Sequence, residues 1–171
     1  MPTALPAPAA LLFADLDLEF AATRRMLAAF PESHAGWRPH DKSRSLADLA
    51  THVATVPARG VDVLTTEYLD IVGRKAAVAA STPAALVTLF DSHANALLSA
   101  LAASTAESLE QPWSIRAGPR VLMTMPRRAL LRWFVLSHHV HHRAQLSVYY
   151  RLVNVPVPGM YGPTADEGLP A

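Results

Sequence analysis

With 171 residues, 51% of them hydrophobic and 17% charged, the chain is the size of one domain and can bury a substantial core. A formal net charge of +1 excludes the broad basic field that nucleic-acid binding needs, and no uninterrupted apolar run reaches the roughly 20 residues that span a bilayer. The absence of cysteine excludes disulfides and any protein thiol chemistry, while abundant alanine and only seven glycines make a helical composition.

The first helix is expected to start after Pro6 and Pro8 and to run to about Ala29. Phe13, Leu16, Phe20, Leu27 and Phe30 recur at helical spacing, and Pro31 stops it. A polar loop from Glu32 to Arg44 follows, with Trp37 and Pro39 as apolar anchors and His34 and His40 on the surface. Ser45 is a good N-cap for the second helix, and Asp48 adds a negative charge to its first turn. Leu49, Val53, Val56, Val63 and Leu64 form its inner stripe, on which His52 also lies. Pro57 predicts a kink just past His52, and the helix should fade around 70–73. Thr82 and Pro83 open a third helix to about Ala103, with Leu86, Phe90, Leu97 and Leu101 inward and His93 on the same face. The segment 104–125 leaves room for a short hairpin, although no strong alternation supports one. Pro126 opens a fourth helix to about Val153, and the tail from Val155 to Glu167 is rich in turn formers.

Four helices of similar length, each with one apolar stripe, imply an all-α four-helix bundle. It forms a single domain, 1–171, with flexible ends, about 1–9 and 160–171, packed on or loose from the core. The N-terminus lacks the basic segment of a signal peptide, so a cytoplasmic protein that binds neither membrane nor nucleic acid is expected.

Four of the eight histidines fall in the five places from His138 to His142. On a helix, residues four apart stack on one face, so His138 and His142 can aim both imidazoles at a single point. With His138 as the zero of a helical wheel, Leu131, Phe134, His142, Gln145, Tyr149 and Leu152 lie within roughly 40°, an inward stripe. His141 lies about 60° off, a weaker substitute, and His139 about 100° off, at the boundary or on the surface. Such a pair is half of a metal site. His52 is a candidate for a third ligand, although a lone histidine on such a stripe is more often a core residue with a hydrogen bond, and His93 is its chief rival.

Three neutral imidazoles on a divalent ion leave a position open, the arrangement of catalytic rather than structural sites. Any attacking sulfur must come from a cosubstrate, since the chain has none to offer except in methionine. Arg143, Gln145 and Tyr149 are the nearest polar candidates on the fourth helix for orienting a ligand or touching substrate, with Asp48 one turn before His52. The competing readings are ion pairs for Arg143 and Asp48, a polar core position for Gln145 and plain packing for Tyr149. No His-Glu-x-x-His and no Glu-x-x-His occurs, which speaks against a metalloprotease or a di-iron site.

His138-x-x-His141-His142-Arg143-Ala144-Gln145, followed by Tyr150-Arg151-Leu152, resembles the helix-four signature of the DinB (damage-inducible) family, which is grouped with the YfiT-like metal-dependent hydrolases. Alanine at 144 and tyrosine at 150 are mild departures from that pattern. Trp37-Arg-Pro-His40 with Ser45 to His52, and Pro158-Gly-Met-Tyr-Gly-Pro163 with Asp166 and Glu167, resemble two further family segments, so the likeness covers nearly the whole chain. The resemblance implies a bundle wound up-down-down-up, a homodimer, and one divalent ion (zinc, nickel or iron) held by His52, His138 and His142. It also implies a metal-dependent transferase or hydrolase acting on a small molecule with a low-molecular-weight thiol as cosubstrate. The alternative is a non-catalytic, stress-related bundle whose metal is structural, which a fourth protein ligand from His93 or His141 would favour.

Overall fold

The computed structural model describes residues 9, 13–74 and 77–167. Four long helical stretches carry the core. Helix α1 spans Leu16–Ala28, α2 spans Leu46–Thr65 and α3 spans Pro83–Ala102. A short α4 (Ala106–Glu110) leads into a hairpin. The fourth stretch is continuous but changes pitch, from α5 (Arg127–Leu130) through a π-helical segment (Leu131–Ser137) into α6 (His138–Leu152). The expected start of the first helix after Pro8 lies outside the described residues, as do the extreme ends 1–8 and 168–171.

Local chemistry sets the helix limits. The Ser45 hydroxyl accepts from the Asp48 amide at 3.1 Å, and that of Thr82 accepts from Ala85 at 3.2 Å ahead of Pro83. Each satisfies one of the orphan amides of a first helical turn. At the far end of α6, Asn154 takes a φ of 57°. The Val155 amide then reaches back to the Tyr150 carbonyl at 2.9 Å, a Schellman closure that asparagine tolerates better than most residues. Pro57 sits inside α2 without interrupting it.

Helix α1 packs mainly against α3 and α6, and α2 does likewise, so α1 and α2 stand across the bundle from each other. Phe20 meets Phe90 edge-on at 5.5 Å across this core, and the Tyr150 hydroxyl, fully buried, donates to the Met26 carbonyl at 2.9 Å. Gly60 lets α2 approach α3, since a Cβ there would stand 2.6 Å from Leu97 Cδ1. Helix α3 is long and apolar enough on average to cross a bilayer by length and composition, although polar residues from Thr88 to Ser99 interrupt it. Its Leu86, Phe90, Ala94, Leu97 and Leu101 are buried within the bundle, and its Asp91 pairs with Arg24 of α1 at 3.1 Å.

The chain is mostly helical, as expected, but it is not purely so. A three-stranded sheet joins β1 (Tyr68–Asp70), β2 (Pro112–Ala117) and β3 (Arg120–Pro126), with β1 parallel and β3 antiparallel to β2. Helix α2 therefore stops at Thr65 rather than fading near residue 70. The Thr66 hydroxyl accepts from the indole of the buried Trp113 at 3.1 Å, and Asp70 Oδ1 accepts from the amides of Val72 and Gly118. The sheet lies at the edge of the bundle, and most of its side chains are at least partly solvated. Alternation, which depends on one face being buried, is correspondingly weak.

Within the tail, Val157 and Gly159 are buried and residues 161–163 and 165–167 are exposed. Asp166 accepts from Arg151 at 2.6 Å and from the Val157 amide at 2.9 Å, and Arg25 donates to the Gly159 carbonyl.

Candidate metal centre

His52 of α2 and His138 and His142 of α6 meet at the seam between these two helices. Each offers a ring nitrogen, and the three atoms lie within 4.8 Å of one another; among the described residues no other group of three metal-capable side chains does so. His138 Nε2 stands 3.2 Å from His52 Nε2 and 2.7 Å from His142 Nε2. Two nitrogens bound to one tetrahedral zinc-sized ion stand roughly 3.3–3.4 Å apart.

The opposite ring nitrogens decide what the Nε2 atoms can be. His138 Nδ1 lies 3.2 Å from the Phe134 carbonyl, which can only accept, so this nitrogen carries the proton. His142 Nδ1 lies 2.7 Å from Gln145 Oε1, also an acceptor. In the neutral rings both Nε2 atoms are then bare lone pairs that converge, as the ligands of a shared cation would. The donor set fits a divalent metal.

The rings are held in the neutral, ligating form. Burial foremost, then the positive fields of His142, Arg44 and His138, push His52 down to about 3. Burial also pushes His142 down to about 4 against the opposing Gln145 hydrogen bond, and lowers His138 against that of the Phe134 carbonyl. Arg44, one residue before the N-cap of α2, contributes to all three shifts. Nothing in its sequence context marked it.

The other candidates fall elsewhere. His93 Nδ1 pairs with the Ala54 carbonyl at 3.3 Å, and His141 is exposed with its ring edge-on to His142 at 4.9 Å. Asp48 serves the cap of α2, accepting from Ser45 at 2.6 Å. Tyr149 packs edge-on against Trp37, with its hydroxyl 3.5 Å from the Arg44 carbonyl. Of the three polar candidates on α6, Gln145 alone is bonded to a triad member.

Arg143 is 2% exposed and forms an ion pair with Glu19 of α1 at 2.6 Å. Its guanidinium also donates to the Glu19 carbonyl, the Thr23 hydroxyl and the Tyr161 hydroxyl. His139 belongs to the same network, which corrects the expectation that it lies at the boundary or on the surface. It is 1% exposed, between Phe20 and Phe90, with Nε2 2.7 Å from Thr23 Oγ1. Because that hydroxyl already donates to the Glu19 carbonyl, His139 Nε2 is the donor, leaving Nδ1 buried and unpartnered.

The deep stripe of the fourth helix thus runs Val135, His139, Arg143, Leu146, Tyr150, one position beyond the stripe centred on His138. Gln145 and Leu152 of that expected inward stripe are exposed, and the triad sits at its half-buried edge. A wheel drawn on one helix cannot see that Glu19 and Thr23 of another helix satisfy a buried arginine and histidine. The π-helical turn, Leu131–Ser137, also breaks the 100° step upstream of His138.

His138 borders a hollow of about 380 Å³, lined otherwise by Trp133, Phe134, Ser137 and His141. One member of the triad, His138, therefore has open space beside it.

The sequence model of the DinB family matches residues 6–168. A stretch of 43 residues is 44% identical to the uncharacterised protein YrdA of Bacillus subtilis, an alignment that spans 25% of each chain. Two crystal structures share the fold. A DinB-like protein of Bacillus subtilis, YjoA, has a TM-score of 0.67 at 18% identity, over 88% of this chain and 97% of its own. A DinB-like protein of Bacillus cereus ATCC 10987 has a TM-score of 0.68 at 20% identity, over 88% and 95%.

Proposed function

This chain belongs to the DinB family, and from that premise we propose that it holds one divalent metal ion on His52, His138 and His142 and acts as a transferase or hydrolase with a low-molecular-weight thiol as cosubstrate. The observation that carries the reading is the convergence of three Nε2 atoms while the Nδ1 atoms of His138 and His142 are committed to carbonyl acceptors. Zinc, nickel and iron all suit an imidazole donor set. When bound, such an ion supplies Lewis acidity and favours the deprotonated form of a thiol near neutral pH.

The chain's own groups have narrower tasks. The Phe134 carbonyl and Gln145 fix the tautomers and ring planes of two ligands. Helices α2 and α6 hold the three rings in place, and the hollow beside His138 gives a small molecule room to approach. That hollow favours the enzyme over the alternative of a purely structural ion tying α2 to α6. We carry the up-down-down-up winding as part of the same reading, and the pairing of α1 and α2 each with α3 and α6 supports it.

The test is elemental analysis of the full chain purified without chelator, followed by thiol titration. About one equivalent of zinc, nickel or iron per chain is expected, with release of roughly one proton per thiol bound near pH 7. Metal without any thiol response supports the structural role, and failure to take up metal on titration overturns the reading.

A further inference from the structure

Trp133 is 51% exposed and lines the hollow beside His138. Its neighbours are also ring side chains, tilted relative to one another. The Trp133 and Phe134 rings lie 6.3 Å apart at 32° to each other, and Phe134 and His138 lie 5.9 Å apart at 35°. Three flat groups thus step along the fourth helix toward the metal triad, and the last of them is a member of it. The hollow they line, about 380 Å³, is an open one against a single helical stretch. Apart from the two imidazoles, its side-chain polar groups are the Ser137 hydroxyl and the Trp133 indole N–H.

The π-helical turn supplies Trp133, Phe134 and Ser137, and the first turn of α6 supplies His138 and His141. One helix therefore presents both an apolar wall and a ligand-bearing edge to the same space.

We propose that this hollow seats a flat apolar group of the substrate, an aromatic ring or a comparable planar body, and that Trp133 and Phe134 select for it. The inference rests on the metal reading of the triad. It adds the substrate class: a molecule with a metal-binding head directly joined to a planar apolar body. Offset stacking suits such a pair better than an aliphatic chain, because ring faces and edges carry opposite partial charge.

The test uses the metal-loaded full chain and two probes with the same head, benzohydroxamate and acetohydroxamate, titrated by calorimetry. Benzohydroxamate is expected to bind about tenfold or more tighter. In Trp133→Ala that advantage should shrink to about threefold or less, while acetohydroxamate affinity and metal content stay unchanged. Trp133→Phe should retain most of it. If Trp133→Ala does not fold, Ser137→Phe fills the same hollow and should likewise abolish the preference. Equal affinity of the two probes in the parent protein, or an undiminished preference in both variants, overturns the proposal while leaving the metal site standing. Absence of metal uptake in the same preparation overturns the metal reading and this proposal with it.

Discussion

His142 Nδ1 lies 2.7 Å from Gln145 Oε1, one turn further along α6. This contact makes Gln145 the orienting partner of a candidate ligand although Gln145 itself is exposed. Replacing it with leucine removes the acceptor without touching any of the three imidazoles. Metal affinity is expected to fall by about 10–100-fold, measured by competition with a chelator of known strength. Unchanged affinity would show that the contact orients nothing.

Alanine at His52, His138 or His142 is expected to remove most of the bound metal. His93→Ala and His141→Ala should retain about one equivalent. His139→Ala should also retain it, at a cost in stability, because its ring serves Thr23 and the core rather than the triad. Elemental analysis of the six proteins separates these cases. Equal loss in the His52 and His93 variants would make the third-ligand assignment wrong.

Glu19→Ala leaves the Arg143 guanidinium buried beside α1 without its carboxylate. A broken buried pair of this kind costs about 3–5 kcal/mol, whereas Tyr161→Phe removes one hydrogen-bonding hydroxyl and should cost about 1 kcal/mol. Urea denaturation of both variants checks the order. A Glu19→Ala protein as stable as the parent would remove the network from any account of what holds α1 to α6.

Acidification should weaken the metal-free protein. His52 and His139 are held down to about 3 and His142 to about 4, burial being the first cause in each. The unfolded chain, with ordinary histidines near 6.5, binds more protons than the folded one between those values and 6.5. The stability these groups contribute is complete above about pH 6.5 and is lost as pH falls toward 4 and below. For His139, buried almost completely, the slope approaches about 1.4 kcal/mol per pH unit in that window. Urea midpoints at pH 7.5, 6 and 5 should fall in that order. Metal binding should weaken over the same range, because protons compete for the same nitrogens.

Much of this was legible in the residues themselves. Ser45 and Thr82 announce their helices by cap chemistry that acts within four residues, and an i, i+4 histidine pair converges whatever the rest of the chain does. His139 and Arg143 were misplaced or left open because their burial depends on Glu19 and Thr23, more than a hundred positions away. The three strands were illegible for a related reason. Their register rests on Trp113 reaching Thr66 and on Asp70 catching the hairpin at Gly118, contacts between segments that show little alternation of their own. Phe134 reads in sequence as part of the inward stripe, whereas the structure puts it beside Trp133 in the wall of a hollow.

The Glu19–Arg143 pair also bears on how the protein is made. Its partners are separated by 124 residues, and Tyr161, which closes the same cluster, is synthesised later still. At about 5–20 residues per second, a ribosome needs roughly 6–25 s after translating Glu19 to reach Arg143. During that interval the first helix carries an acid meant for the interior with nothing to neutralise it. The native burial of Glu19 against its partner can therefore be completed only after the fourth helix has been made.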